Sequence, residues 1–209
     1  MKIGMVGLGR MGAGMAERLR GKGHEVVGYD RSPELSEVRS LEELVGALSP
    51  PRVVWVMVPA GEPTESTLKQ LAELVSSGDV LIDGGNSYYK DSVRRAKELG
   101  AHGIRFLDIG TSGGIWGLEV GFCLMVGGPR DAFEAVEPIL KKDLPGFGEL
   151  FRQRSSQIIG ATSALSRAMA GTVDTVAVFC LPGSPDGSAL GMEIVLEILP
   201  HLRAVLGPP

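Results

Sequence analysis

The chain has 209 residues, 44% of them hydrophobic, and a formal net charge of −4, which suits one large domain or two small ones. The acidic balance and the lack of a basic stripe argue against a nucleic-acid binder. No apolar run reaches the roughly 18 residues of a membrane helix, so no membrane contact is expected. Cys123 and Cys180 are too few for a disulfide framework or a zinc site. We therefore expect free thiols, no metal and a cytoplasmic location.

The first dozen residues combine a strand, a glycine turn and the start of a helix. The apolar run Lys2–Val6 predicts a buried strand, so no signal peptide is expected before it. In a dinucleotide-binding turn the first glycine allows a tight bend, the second admits the pyrophosphate, and the third lets the helix pack on the strand. The unpaired N–H groups at the helix start would hold the anion. The G-x-G-x-x-G turn consists of Gly7, Leu8, Gly9, Arg10, Met11 and Gly12.

A carboxylate ends the second predicted strand. The strand Glu25–Tyr29 is followed by Asp30, 18 residues after Gly12. A carboxylate in this place accepts hydrogen bonds from the ribose 2′-OH of NAD and repels the 2′-phosphate of NADP. Arg31 complicates this reading, because it could pair with that phosphate. We expect a dinucleotide site that prefers NAD to NADP; the alternative is a glycine turn beside a solvated Asp–Arg pair.

Strand and helix signals alternate through the next hundred residues. The strand at 52–58 is apolar on both faces, as in a parallel sheet. The alternation predicts an α/β fold with a doubly wound, mostly parallel Rossmann-like sheet over 1–142, followed by a helix–strand–helix segment over 143–209. Strands are predicted at 52–58, 80–83, 104–109 and 122–126, and helices at 40–45, 64–75, 88–99 and 130–142.

Three loops follow predicted strands and should lie at the carboxyl edge of the sheet, where ligands bind. The first contains Pro59. The second, Asp83–Ser87, includes Asn86, which can offer both a donor and an acceptor to a substrate hydroxyl. The third, Asp108–Gly114, has glycines and hydroxyls that suit a carboxylate or a polyol. From spacing alone, each loop is explained equally well as a glycine-rich turn with Asx capping.

Together these motifs resemble the 6-phosphogluconate dehydrogenase family, in family order and at family spacing over about residues 1–142. Trp116–Glu119 and Asp30 resemble the shorter, NAD-preferring branch. The matching segments are Gly7–Gly12, Met57–Gly61, Ile82–Ser87, Gly110–Gly114 and Met125–Gly128.

The resemblance implies an NAD-dependent oxidoreductase domain of the pentose phosphate pathway, with NADP as the less favoured cofactor. It also implies two sets of ligand-binding residues. The cofactor would be lined by Val58, Pro59 and Ala60, and a sugar-phosphate acid would be bound by Asn86, Ser112, Gly113 and Gly114.

The resemblance ends where the family's catalytic segment should begin. The family continues with a lysine that takes the C3 hydroxyl proton, a histidine, an asparagine and a glutamate that protonates the enediol, followed by a large helical domain. Here no lysine follows Lys142, and the only later histidine is His201. We therefore expect no catalytic residue in the chain and little or no turnover.

Residues 144–209 resemble a second family, the molybdopterin-handling MoaB/MogA proteins of molybdenum cofactor synthesis. The amino half of that family, with its Gly-Gly-Thr-Gly loop and catalytic aspartate, has no counterpart here. The matching motifs are Pro145–Arg152, Ile159–Gly160, Leu165–Gly171 and Leu181–Pro185. By this resemblance a pterin loop would be formed by Pro182, Gly183, Ser184 and Pro185.

The chain thus reads as an amino segment of one α/β protein joined near Lys142–Pro145 to a carboxyl segment of another. It is either a chimera, natural or engineered, or a reduced dehydrogenase homologue with a divergent tail. The functions compatible with this are an NAD-binding domain with little turnover, a molybdopterin-binding module, and a structural chimera with neither activity.

The apolar strand predicted at 175–180 and the helices at 163–170 and 188–205 need partners. We expect this tail to extend the sheet edge or to pair with another chain in a homo-oligomer.

Overall fold

The computed structural model describes residues 1–112, 122–136, 142–143, 145–165, 168–173, 176–182 and 184–206. Its strands are β1 (Lys2–Val6), β2 (Glu25–Tyr29), β3 (Val53–Val56), β4 (Val80–Asp83), β5 (Arg105–Ser112), β6 (Cys123–Gly127), β7 (Lys142–Asp143), β8 (Met169–Val173) and β9 (Val176–Cys180). Its helices are α1 (Arg10–Gly21), α2 (Leu41–Gly46), α3 (Glu62–Leu74), α4 (Tyr89–Ala101), α5 (Arg130–Val136), α6 (Pro145–Ile159) and α7 (Pro185–Leu206), with a 3₁₀-helix at Gly160–Leu165.

These strands form one sheet in the order β2-β1-β3-β4-β5-β6-β9-β8-β7. The pairings from β2 to β5 are parallel, β6 is antiparallel to β5, β9 is parallel to β6, and β8 and β7 complete an antiparallel edge. The predicted α/β class with a mostly parallel sheet is confirmed. Because the chain leaves β1 toward β2 on one side and returns to β3 on the other, the carboxyl ends of β1 and β3 flank a topological switch point.

Helices cover both faces of the parallel part of the sheet, because alternate strand residues face opposite ways. Met5 and Trp55 belong to one buried cluster, together with residues of α1 and α5. Val54 and Val56 belong to the cluster on the other face, which α2, α3 and α4 complete. Strands buried on both sides explain why the sequence shows continuous apolar runs there rather than alternation.

The tail has its own apolar cluster and joins the same sheet. Phe147 on α6 and Phe179 on β9 pack edge to face with ring centroids 5.0 Å apart, and Ile194 of α7 is buried in the same cluster. β9 pairs with β6 in the register Val126↔Cys180. The domain boundary at 142/143 and the homo-oligomer remain predictions.

The helix predicted at 163–170 is wrong. The structure has the 3₁₀-helix up to Leu165 and the strand β8 from Met169. A short apolar run fits a helix or a strand equally well, and its antiparallel pairing with β9 decides the matter. The predicted helix at 130–142 is present as α5 to Val136, while 137–141 lie outside the described residues. Its predicted last residue, Lys142, instead belongs to β7, because it pairs with β8. None of the described helices is long and apolar enough to cross a membrane.

Candidate functional site

The glycine turn after β1 is tight at its two ends and open at its centre. Gly7 has φ +93°, and a Cβ atom there would lie 2.6 Å from the Met57 carbonyl oxygen. A Cβ atom at Gly12 would lie 1.9 Å from the Gly7 carbonyl oxygen, so α1 packs on the turn with no room for a side chain. At Gly9 a Cβ atom would meet nothing within 4 Å. The turn therefore leaves free space where a ligand backbone or phosphate could approach.

The start of α1 is free of side-chain caps. Gly9 is the N-cap residue and offers no side-chain hydrogen bond, and the first turn contains no acidic residue. The first N–H groups of a helix have no partner within the helix, and the helix dipole adds positive charge at this end. Arg10, in the first turn, is exposed. This helix start can accept an anion such as a pyrophosphate.

The Asp30 carboxylate is anchored by one backbone N–H group from the glycine turn and one from the residues that follow it. One carboxylate oxygen accepts the Leu8 N–H at 2.6 Å, and the other accepts the Ser32 N–H at 2.9 Å. The Asp30 N–H donates to Ser36 Oγ at 3.0 Å. The half-buried carboxylate is thus held in one orientation, with lone pairs left for a further donor. Arg31, beside it in sequence, is exposed.

The loop after β3 lies against the glycine turn. A Cβ atom at Gly7 would lie 3.1 Å from Val58 Cγ1, and the Thr64 hydroxyl donates to the Pro59 carbonyl oxygen at 2.9 Å. Pro59 and Ala60 are exposed. The structure therefore brings together three of the predicted features at the switch point: the glycine turn, Asp30 and the loop after β3.

A buried ion-pair network supports the end of β4. Asp83 is fully buried and Arg95 is 4% exposed. Arg95 Nη1 donates to Asp83 Oδ2 at 2.9 Å and to Ser87 Oγ at 3.1 Å, while its Nε donates to Glu65 at 2.8 Å. The second Asp83 oxygen accepts the Gly85 N–H at 2.9 Å. This satisfied network fixes the β4–α4 loop against α3 and occupies Asp83 with a structural role.

Arg95 was not among the residues predicted from the sequence. The signal was present in the spacing: Ser92, Arg95 and Leu99 are the buried residues of α4, and they follow one face of a helix. Arg94, one position earlier, is exposed and pairs with Glu65 at 2.7 Å. The hydrogen bond from Arg94 outweighs the effect of burial and, together with Arg95, lowers the pKa of Glu65 to about 2.

Asn86 ties the loop after β4 to β5. It has φ +56°, its Oδ1 accepts the Thr111 N–H at 3.1 Å, and its Nδ2 donates to the Thr111 carbonyl oxygen at 3.3 Å. One N–H and one lone pair of the side-chain amide remain for a ligand. Ser112 ends β5, and its side chain, like Gly113 and Gly114, lies outside the described residues. A sugar-acid site at these four residues remains a prediction.

A cavity of about 670 Å³ lies where α4, the β5–β6 pair and the tail meet. Its lining includes Asn86 and Asp108 from the first part of the chain, and Pro182, Pro185 and Ser188 from the tail. Two of the four predicted pterin-loop residues therefore face this cavity. Ser184 is exposed outside the lining, and Gly183 lies outside the described residues.

Asp108 lies inside β5, opposite Asp83 of β4 in the sheet register, and not at a strand end as the sequence suggested. Burial is the main cause that raises the pKa of Asp108, and the charge of Asp83 adds to it, while the Ser92 hydroxyl and Arg95 act in the opposite sense. Asp108 is therefore a half-buried carboxyl group that faces a cavity, whereas Asp83 is locked in an ion pair.

The start of α7 is capped, unlike that of α1. Ser184 Oγ accepts the Gly187 N–H at 3.2 Å, the Ser184 carbonyl oxygen accepts the Ser188 N–H at 2.8 Å, and the Ser188 hydroxyl donates to the Pro182 carbonyl oxygen at 2.8 Å. Asp186 adds a negative charge in the first turn. The conditions for holding an anion are poorer here than at α1.

Comparison with family models gives two matches along the chain. A model described as the NAD binding domain of 6-phosphogluconate dehydrogenase matches residues 2–143. A model described as "Probable molybdopterin binding domain" matches residues 127–203. Both resemblances seen in the motifs are confirmed, and the two matches overlap next to the junction inferred from the sequence.

Curated relatives match the first part of the chain. The NAD(+)-dependent, decarboxylating 6-phosphogluconate dehydrogenase of Haloferax volcanii is 42% identical over 148 residues, covering 66% of this chain and 48% of the relative. The NAD(+)-dependent enzyme of Bacillus subtilis is 39% identical over 153 residues, covering 67% and 33%. The chain thus spans between a third and about half the length of these relatives.

Solved structures give the same picture. Plasmodium falciparum 6-phosphogluconate dehydrogenase, described with its cofactor NADP+ and with its substrate 6-phosphogluconate, has a TM-score of 0.63 and 29% identity over 66% of this chain and 33% of that chain. An imine reductase from Bacillus cereus covers 95% of this chain and 60% of its own, with a TM-score of 0.61 and 17% identity. At that identity the second likeness concerns the fold alone.

Proposed function

Because the chain belongs over residues 2–143 to the family of NAD-binding domains of 6-phosphogluconate dehydrogenase, we propose that its cofactor binds in the crevice between β1 and β3. The observation that supports this best is an open Gly9 at the uncapped start of α1, next to the anchored Asp30 carboxylate. The pyrophosphate would lie on the N–H groups of α1, and the adenosine ribose on Asp30. Val58, Pro59 and Ala60 would line the cofactor.

The same carboxylate would favour NAD over NADP. Hydrogen bonds from Leu8 and Ser32 hold both Asp30 oxygens, so the carboxylate cannot easily turn away from a 2′-phosphate placed beside it. The exposed Arg31 and Arg10 would attract that phosphate, but exposed charges are screened by solvent and salt. The net preference is therefore for the ribose with a free 2′-OH.

Isothermal titration of the chain with NAD and NADP tests this preference. Asp30→Ala should weaken NAD binding and relieve the NADP penalty, each by roughly 1–3 kcal/mol, the cost of leaving buried polar groups unpaired. Asp30→Asn is the matched control, because it keeps one hydrogen-bonding oxygen and removes the charge. It should relieve the NADP penalty with a smaller loss of NAD affinity. Equal affinities for NAD and NADP in the unmodified chain would contradict the proposal.

We further propose that the chain does not turn over 6-phosphogluconate at a useful rate. Hydride transfer from C3 needs a base for the hydroxyl proton, and general acid–base catalysis typically contributes 10²–10⁴-fold. No lysine follows Lys142, and Asp83 is engaged with Arg95 and Gly85. A sugar-phosphate acid at Asn86, Ser112, Gly113 and Gly114 would then be bound without being consumed. Steady NADH formation above about 1 s⁻¹ at saturating NAD and 6-phosphogluconate would contradict this.

The match over residues 127–203 supports a second candidate, the binding of a molybdopterin-type ligand by the loop Pro182–Pro185. Titration of the purified chain with molybdopterin tests it directly. Binding of molybdopterin without binding of NAD would favour this module, and binding of neither would favour a structural chimera.

A further inference from the structure

The cavity next to the tail lies where β5 extends beyond the end of β4. β4 ends at Asp83, opposite Asp108, while β5 continues to Ser112. β6 pairs antiparallel with this part of β5, and β9 ends beside β6, where the Leu181 N–H donates to the Val126 carbonyl oxygen at 3.1 Å. The loop after β9 is thereby brought level with Asp108. The cavity shares no described residue with the glycine turn or with the loop after β3, so it is separate from the proposed cofactor site. It shares Asn86 with the proposed sugar-acid site.

The charges around the cavity disfavour an anionic ligand. Asp108 is the ionisable acid among the described lining residues, and these residues include no lysine, arginine or histidine. The nearby Arg95 is neutralised by Asp83 and Glu65. Lys90 lies outside the lining, with its Nζ 6.0 Å from the ring centroid of Tyr89. A phosphate or carboxylate bound here would face Asp108 without a compensating cation, whereas a cation or an N–H donor would be attracted.

A second polar group, the Ser92 hydroxyl, lies in the lining beside Asp108. Ser92 is 6% exposed, and among the described residues no hydrogen bond of normal geometry reaches its hydroxyl. The hydroxyl is close enough to Asp108 to favour the ionised form of that carboxyl and so lower its pKa. Buried polar groups are normally paired, and leaving one without a well-formed hydrogen bond is unfavourable. Asp108 and Ser92 together therefore present neighbouring hydrogen-bonding positions to the cavity.

Besides Asn86, Ser87 and Ser188, the remaining lining side chains are apolar and partly aromatic. Tyr89 and Phe106 contribute rings, Met125 and Met192 contribute flexible thioethers, and Leu181 and Pro182 line the tail side. Thioethers and aromatic rings pack well on the faces and edges of a flat ring. A volume of about 670 Å³ lies in the usual range of small-molecule pockets, about 300–1,000 Å³.

We propose that this composite cavity binds a planar, nitrogen-rich ring, neutral or cationic, whose adjacent N–H donors meet the Asp108 carboxylate and the Ser92 hydroxyl. Neither part of the chain forms such a site alone, because the polar positions come from α4 and β5 and the apolar wall on the far side comes from the tail. This inference rests on the second candidate function, since a pterin is such a ring and Pro182 and Pro185 line the cavity. It is independent of the cofactor proposal and would remain if NAD did not bind.

Backbone amide NMR of the full chain tests the proposal with two probes of the same shape and opposite charge. Benzamidine carries the paired N–H donors, and benzoate replaces them with a carboxylate. Benzamidine should shift amide signals on both sides of the cavity, including Gly110, Gly127 and Ser188, and benzoate should not. Shifts on one side alone, or equal binding of benzoate, would overturn the proposal.

Two matched variants sharpen the test. Asp108→Asn should weaken benzamidine binding at least about tenfold, the loss expected for a charge-assisted hydrogen bond. Asp131→Asn, on the exposed start of α5, should leave it unchanged. The dispersion of the amide spectrum shows in each case that the variant is folded. If 6-phosphogluconate shifts the same signals and binds more tightly to Asp108→Asn than to the unmodified chain, the cavity is an anion site and the proposal is wrong.

Discussion

Two of the strand–loop–helix joints were expected from the sequence to bind a ligand, and they differ in structure. The turn Gly7–Gly12 joins β1 to α1, and Leu181–Pro185 joins β9 to α7. The first helix start has no side-chain cap and no acidic residue. The second is capped by Ser184 and carries Asp186. From this difference, a strand–loop–helix joint is expected to favour an anion only where the helix N–H groups are left unpaired.

The largest effect should come from Gly9, at the open centre of the first joint. Gly9→Val should reduce NAD affinity at least about 100-fold, since its side chain would occupy the pyrophosphate's place, and should leave the fold intact, because a Cβ atom there meets nothing within 4 Å. Titration with NAD and thermal unfolding measure the two effects separately. Unchanged NAD affinity in a folded Gly9→Val variant would show that the open turn is not the cofactor site.

Gly12→Ala, three residues later, is the contrasting variant. Its Cβ atom would lie 1.9 Å from the Gly7 carbonyl oxygen, so α1 has to shift, and overpacking of this kind costs typically 1–3 kcal/mol or more. Loss of stability is therefore expected at Gly12 and loss of binding at Gly9.

The sequence was sufficient for the first joint because its information is local. A glycine pattern, a following helix and a carboxylate at the end of the next strand specify the crevice without knowledge of distant residues. The parallel direction of β1 to β5 follows from the alternation of strands and helices. The fold of this part could therefore be predicted, and the errors there are confined to the ends of helices and strands.

The tail and its cavity could not be predicted in the same way, because they depend on a pairing between distant strands. β8 was read as the end of a helix, since Met169 and Ala170 fit either period until β9 lies beside them. The cavity forms because β9 pairs with β6, next to the part of β5 that extends beyond β4. Asp108 appeared to end its strand because the sequence does not reveal how far β5 extends past β4.

A smaller effect is expected at the second joint. Ser184→Ala removes the oxygen that accepts the Gly187 N–H and should lower the free energy of unfolding by about 1 kcal/mol, as N-cap losses do. NAD affinity should not change. Ser156→Ala, on an exposed position of α6, is the matched control and should alter stability by less than about 0.5 kcal/mol. Urea unfolding compares the two, and equal losses would mean that the cap does not distinguish the joints.

The smallest effect should be a gain in stability at Asp108, and its sign follows from the direction of the pKa shift. Burial raises the pKa of Asp108, Asp83 adds to the rise, and Ser92 and Arg95 oppose it. An acid whose pKa is higher in the folded state than in the unfolded state disfavours folding when ionised, and this cost disappears as the pH falls below the unfolded value, about 4. Asp108→Asn should therefore be slightly more stable than the unmodified chain near pH 7, with the difference shrinking toward pH 4.

The exposed Asp131→Asn should show no such trend in urea unfolding at the two pH values. A loss of stability at pH 7 that exceeds the loss at pH 4 would contradict the prediction. If Asp108 is retained to bind a ligand although its charge lowers stability, Asp108→Asn should be more stable at pH 7 and should also bind benzamidine more weakly.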